Sequence, residues 1–105
     1  MALISGEEVM LGQENGPEVR LIAFGDEFYA RYESPEGYPA IYDEDVGLFC
    51  YARVEDGCYV STGVPVMESP PTDVVKHAQE SPEVRQEKAA AKQAARMAPE
   101  ERELP

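Results

Sequence analysis

The chain has no tryptophan, a single histidine (His77) and two cysteines (Cys50 and Cys58), and its 21 acids far outnumber its nine lysines and arginines. Each shortage excludes something. With one histidine there is no HEXXH pair, and neither a CXXC unit nor a Gly-rich phosphate loop occurs. His77 has no acid–base or metal partner at motif spacing. Asp43-Glu44-Asp45 lacks the spaced oxygen ligands of an EF-hand and reads as a solvated acidic turn. Asp26 and Glu27 are adjacent, so they cannot oppose each other across a substrate. No catalytic residue, metal site or cofactor is therefore expected, and the chain is not read as an enzyme. The shortage of cations, with a net charge of −12, argues against a nucleic-acid surface, which is built on Lys and Arg. No apolar run approaches a membrane span. Met1-Ala2-Leu3-Ile4 lacks a basic start and is cut short by Ser5-Gly6-Glu7-Glu8, so no signal peptide is read.

What is present concentrates between Gly25 and Gly63, a stretch that holds all six tyrosines and both cysteines. Turn chemistry punctuates it at Ser34-Pro35-Glu36-Gly37, Asp43 to Gly47 and Glu55-Asp56-Gly57, and the residues between alternate with period two. Phe28, Ala30 and Tyr32 oppose Tyr29, Arg31 and Glu33. Tyr38, Ala40 and Tyr42 oppose Pro39 and Ile41, and Leu48, Cys50, Ala52 and Val54 oppose Phe49, Tyr51 and Arg53. Such alternation bounded by Pro, Gly and Asp predicts consecutive strands joined by hairpins. Upstream, Val9 and Leu11 mark a weak strand, Asn15-Gly16 is the strongest two-residue hairpin signal, and Glu18 to Phe24 reads as a central strand. The fold class is mainly β (α+β): a small antiparallel β-meander sheet or partly open barrel with a charged, Ala-rich C-terminal helix.

Residues 1–68 read as an acidic sheet domain and 69–80 as a Pro-containing linker, in which Thr72 or Asp73 caps a short helical stretch through Gln79. Ser81 caps the main helix, 81–98, with Pro82 and Glu83 in its first turn. Its apolar face is poor, so it reads as solvent-facing or shallowly docked. Pro99 closes it, and 99–105 reads as a disordered tail. With Asp56-Gly57 in the turn, Glu55 pairs with Cys58, and Cys50 lies too far along its strand to face it. Two buried or half-buried thiols are expected in place of a disulfide.

Gly25-Asp26-Glu27-Phe28-Tyr29, then Glu36-Gly37-Tyr38, an acidic turn before Tyr51-Ala52, and Val60-Ser61-Thr62-Gly63 resemble the N-terminal pro-region of M6-type (immune inhibitor A-like) zinc metalloproteases. The likeness covers roughly residues 18 to 97, and Ser81 to Met97 is similar to the linker that leads into the family's catalytic domain. Its motif residues here are Gly25, Asp26, Glu27, Phe28, Tyr29, Gly37, Tyr38, Tyr51 and Gly63. The family's HEXXH domain lies downstream and is not in this sequence, so no catalytic residue carries over. Pro39, after the Gly37-Tyr38 turn, departs from the pattern, where an ordinary strand residue is expected; an edge position would tolerate it. The resemblance implies a secreted context and a protein partner, a metalloprotease catalytic domain in cis or in trans, which the module would help fold, inhibit, or both. Lys88, Lys92, Arg96 and Arg102 are candidate processing sites. Cys58, beside its turn, is the best-placed of Cys50, Cys58 and His77 to ligate a partner's zinc, although either cysteine also fits a small core residue. The other expectation is a stand-alone structural or adaptor subunit that docks the same β domain into a larger assembly.

Overall fold

The computed structural model of the chain describes residues 4–26 and 28–102. Six strands follow one another, β1 (Ile4–Leu11), β2 (Val19–Gly25), β3 (Ala30–Glu33), β4 (Pro39–Asp43), β5 (Leu48–Glu55) and β6 (Cys58–Pro65), and then one helix, α1 (Pro82–Arg102). Spatial order is sequence order, and every neighbouring pair is antiparallel. The β-meander read from the turn spacing is the fold. β1 and β6 are the two edges, so the sheet is open and does not close into a barrel.

Alternation places the core. Val19, Leu21 and Ala23 of β2 are buried while Arg20 points out. Leu21, Val19, Ala40 and Phe49 form the centre, with Val9, Leu11, Tyr32, Tyr42 and Val66 against them. Phe49 meets Tyr42 and Tyr32 edge-on, at centroid distances of 4.9 and 6.3 Å, the geometry that ring quadrupoles favour. β5 buries both of its faces, Phe49 and Tyr51 on one and Cys50 and Ala52 on the other.

The sheet curls because its loops reach one another. The β1–β2 connection spans residues 12–18, with Leu11 opposite Val19, and Asn15-Gly16 is not the two-residue hairpin the sequence suggests. Asn15 instead donates its amide to Gly47 O (3.0 Å) and its Nδ2 to Val46 O (2.8 Å), fastening this loop to the β4–β5 turn. Gln13 Oε1 accepts from the Phe49 amide and Glu14 Oε1 from the Tyr42 hydroxyl. The Asp56-Gly57 hairpin forms as expected: both residues have positive φ (52° and 80°) and Glu55 faces Cys58. Both thiols are free, Cys50 buried and Cys58 half-buried.

Segment 66–80 is a strap laid on the sheet, where the sequence suggests a spacer. The Val66 amide donates to Phe49 O, the Tyr51 hydroxyl to the carbonyls of Val66 and Glu68, the His77 amide to Gly37 O, and the Ser81 amide to Gly57 O. Val74 and Glu80 of the strap are buried. The helical stretch expected over 72–79 does not form; two turns replace it. Asp73 pairs with Arg53 (3.0 Å) and caps nothing, and His77 takes a left-handed conformation (φ 62°) that no helix tolerates. Ser81 is the cap expected for α1, its Oγ accepting from the Val84 amide at 3.2 Å. α1 is largely exposed through Ala95. It runs on to Arg102, past Pro99, because proline removes one helical bond locally and the Ala, Gln and Lys turns before it propagate well. The tail expected at 99–105 is thus helical to Arg102, and residues 103–105 lie outside the described residues.

Pro39 is not on an edge. It opens β4, between β3 and β5, and is fully buried. The strand tolerates it because the β4–β5 ladder begins one residue later, at Ala40–Tyr51, so the missing N–H interrupts no rung. β3 likewise starts at Ala30 and not at Phe28. Asp26 Oδ1 accepts from the Phe28 and Tyr29 amides (2.8 and 3.0 Å), and this Asx turn takes both residues out of the strand.

Candidate functional site

The sheet has a split between β3 and β4. Their ladder consists of two rungs, Tyr32–Ala40 and Glu33–Pro39. In that register Arg31 would face Ile41 and Ala30 would face Tyr42, yet β3 there stays on β2 through Gly25–Ala30 and β4 stays on β5 through Asp43–Leu48. Side chains hold the walls apart. Tyr29, just before β3, is tied to Glu80, while Tyr42 of β4 is tied to Glu14 in the β1–β2 loop. The result is a cleft of about 600 Å³ walled by β3, β4, Phe49, Tyr59 and the first turns of α1.

One buried carboxylate organises the helix side of this cleft. Glu80, 2% exposed, accepts from the Tyr29 hydroxyl (2.8 Å), the Tyr59 amide (2.8 Å) and Lys88 Nζ (2.6 Å). Burial pushes its carboxyl up, but the bonds from Lys88, Tyr59 and Tyr29 together outweigh that and hold it below the usual carboxylate range. Burial and the same carboxylate push the Tyr29 phenol well above its ordinary range. Burial also raises Tyr59, with Glu80 and Glu33 adding to the effect against Arg31. A second buried acid, Glu33, pairs with Arg31 and with His77 Nδ1 (3.0 Å) at the end of β3. The His77 ring lies against Gly37, where an added Cβ would come within 2.8 Å of it. Both buried acids are thus bonded on every side to groups of the protein, and both phenols stay protonated as hydrogen-bond donors. The chemistry this arrangement offers is the binding of an apolar or aromatic group beside a cationic rim.

The residues singled out in the sequence fall in several places. Cys58 starts β6 opposite Glu55, half-buried beside the turn on which Ser81 rests. Cys50 is buried on β5, where burial raises its thiol. His77 is clasped to Glu33 and Gly37. The Asp43 carboxylate caps the amides of Asp45 and Val46 and accepts from Ser61 Oγ, and the Ser61 bond leads the effects that lower its pKa. Among the described residues, no group of three metal-ligating side chains converges. Lys88 is pinned to Glu80, Lys92 is exposed one turn on, and Arg96 and Arg102 continue along the same helix.

The residues that carry the resemblance fall in separate places. Phe28 and Tyr29 line the cleft, Gly25 and Asp26 make the turn that presents them, and Tyr38 packs edge-on against buried Tyr51 at 6.0 Å. Gly37 lies under His77, and Gly63 lies on the edge strand β6. Glu27 lies outside the described residues. Sequence reasoning missed Glu80 and Glu33. A lone glutamate before a helix cap looks like any solvated acid, and its partner Tyr29 is 51 residues away. No family model matches the chain, no curated protein matches it, and no solved structure matches it.

Proposed function

We propose that this chain is a non-catalytic binding module of the pro-region kind, which engages an M6-type zinc metalloprotease catalytic domain in cis or in trans, assists its folding and holds it inactive. The observation that carries the reading is the split sheet: an aromatic-lined cleft in which the buried Glu80 carboxylate is already bonded to Tyr29, the Tyr59 amide and Lys88. Such a cleft holds part of a partner without acting on it. The family-motif residues that build it, Tyr29 and Phe28, tie this reading to the resemblance. The acidic sheet, with fourteen acids against Arg20, Arg31 and Arg53 over residues 1–72, suits a partner with a basic surface. Cys58 is half-buried at a turn, and a thiolate there would reach a partner's zinc if the turn entered the active site.

Processing fits the helix best at Lys92 and beyond, since Lys88 is held by Glu80. The test uses the purified chain as bait at physiological salt against the secreted and cellular proteins of its source. Recovery of an HEXXH protease, with dose-dependent loss of its activity, supports the reading. Recovery of a non-protease assembly without effect on any protease replaces it with the adaptor role. Cys58→Ser separates the zinc contact from the rest, because unchanged inhibition removes the thiol from the mechanism.

A further inference from the structure

Backbone groups, as well as side chains, face into the cleft. The Asp26 amide donates to Tyr29 O at 2.8 Å, which makes that pair a hydrogen-bonded rung; the next, Gly25–Ala30, is then of the unbonded kind. The N–H and C=O of Ala30 consequently turn away from β2 and towards β4. On the other wall, the Ser34 amide donates to Tyr38 O at 2.7 Å, so bonded rungs alternate through Tyr32–Ala40 and would reach Ala30–Tyr42. That last rung is absent. The main-chain groups of Ala30 and Tyr42 therefore face each other across the cleft without pairing there, and this is the arrangement of two strand edges awaiting a strand.

The surroundings narrow what would enter. Ile41, Tyr42 and Phe49 offer apolar and aromatic contact. At the helix end the cleft is lined by Lys88, which is already paired with Glu80, and by Lys92, which among the described residues has no ion-pair partner. Lys92 thus leaves a surplus positive charge at one end of an opening in an otherwise acidic molecule.

We infer that the cleft is a strand-insertion site for an extended peptide segment, one that is apolar at alternate positions and carries a carboxylate at the end nearest α1. The segment completes the sheet, antiparallel to one wall and parallel to the other because β3 and β4 are themselves antiparallel. It bonds to Ala30 and Tyr42, seats alternate side chains on Tyr42 and Phe49, and places its acid on Lys92. The facing stretch without rungs is Ala30–Arg31 on one wall and Ile41–Tyr42 on the other, a short span at about 3.3 Å per residue, so a loop or a chain end fits and a long strand does not. This inference rests on reading the chain as a protein-binding module, and it names the part of the partner that is held.

Random peptides of about eight residues, displayed and selected on the full chain, test it. Ala30→Trp fills the cleft from an exposed position outside the core, and Lys92→Glu reverses the surplus charge. The expected result is enrichment of alternating apolar peptides with Asp or Glu at one end. Ala30→Trp should abolish their binding, and Lys92→Glu should weaken it by about fivefold, the scale of an exposed charge reversal. Exchange of the Ala30 and Tyr42 amides should slow in the complex. The inference is overturned if no peptide is enriched over Ala30→Trp, or if enriched peptides leave those two amides unprotected, which would mark an apolar pocket for small molecules. Failure of the protease reading looks different: peptides then bind as described, while no metalloprotease is captured or inhibited. If Ala30→Trp loses the peptides but inhibits a protease as well as the parent chain does, the cleft is not the protease-binding surface.

Discussion

Replacing Glu80 with alanine should loosen the strap and the helix from the sheet. Glu80, buried in the strap, touches three parts: Tyr29 ahead of β3, the Tyr59 amide on β6, and Lys88 on α1. Alanine leaves the Tyr59 amide and the Tyr29 hydroxyl without their acceptor, at about 1–2 kcal/mol each. Lys88 is 52% exposed, so water replaces much of its bond, and that pair contributes at most about 1 kcal/mol. The sum is a loss of about 3 kcal/mol, a large fraction of the roughly 5–10 kcal/mol that holds a domain of this size. Glutamine keeps the shape and one accepting oxygen and loses the charge, so it should cost about 1 kcal/mol.

The pH dependence follows from the depressed carboxyl of Glu80. Its contribution is fully present above the ordinary value of 4.5 and is lost as pH falls through the lower, folded value. The gap between the parent chain and Glu80→Gln should therefore be steady at neutral pH and shrink in the acid range. Urea unfolding followed by circular dichroism measures the energies, and amide exchange at Tyr59 reports the local contact. Glu80→Ala within about 1 kcal/mol of the parent, with the Tyr59 amide still protected, would show that Glu80 does not fasten the strap and helix to the sheet.

Other substitutions test the remaining parts of the fold. Leu21→Ala removes a fully buried side chain at the centre of the core and should cost about 2–5 kcal/mol in the same urea experiment. Gly57→Ala puts a Cβ within 2.8 Å of Ser81 Oγ at a φ of 80°; a loss of about 1–2 kcal/mol is expected, with weaker protection of the Ser81 amide. Ser81→Ala deletes the cap of α1 and should lower helix stability by about 1 kcal/mol, read as reduced ellipticity at 222 nm on mild heating, a standard helix signal.

Local chemistry made much of this fold legible. Asp56-Gly57 dictates its own turn, the alternation in Val19–Phe24 and Leu48–Val54 assigns faces without reference to any partner, and Ser81-Pro82-Glu83 marks a helix start. Long-range contacts account for what the sequence did not reveal. Asn15-Gly16 carries a hairpin signal, but Asn15 finds better acceptors in Val46 and Gly47, over 30 residues away. Pro39 looks like an edge residue until its neighbour Ala40 is seen to begin the β4–β5 ladder. The cleft was the least legible feature, because it arises from rungs that do not form. Nothing in the alternation of Ala30–Glu33 or Pro39–Asp43 says that pairing stops after two residue pairs. Glu80 was equally hidden, since its burial depends on a strap whose prolines and polar residues read as a spacer.

The most direct test of the proposed role is a titration of an active M6-type catalytic domain with the purified chain, following peptide hydrolysis and the heat of binding together. Saturable association with one chain per enzyme is expected, with activity that falls in step with occupancy. Full activity at saturating chain, or no binding heat across the titration, would contradict it.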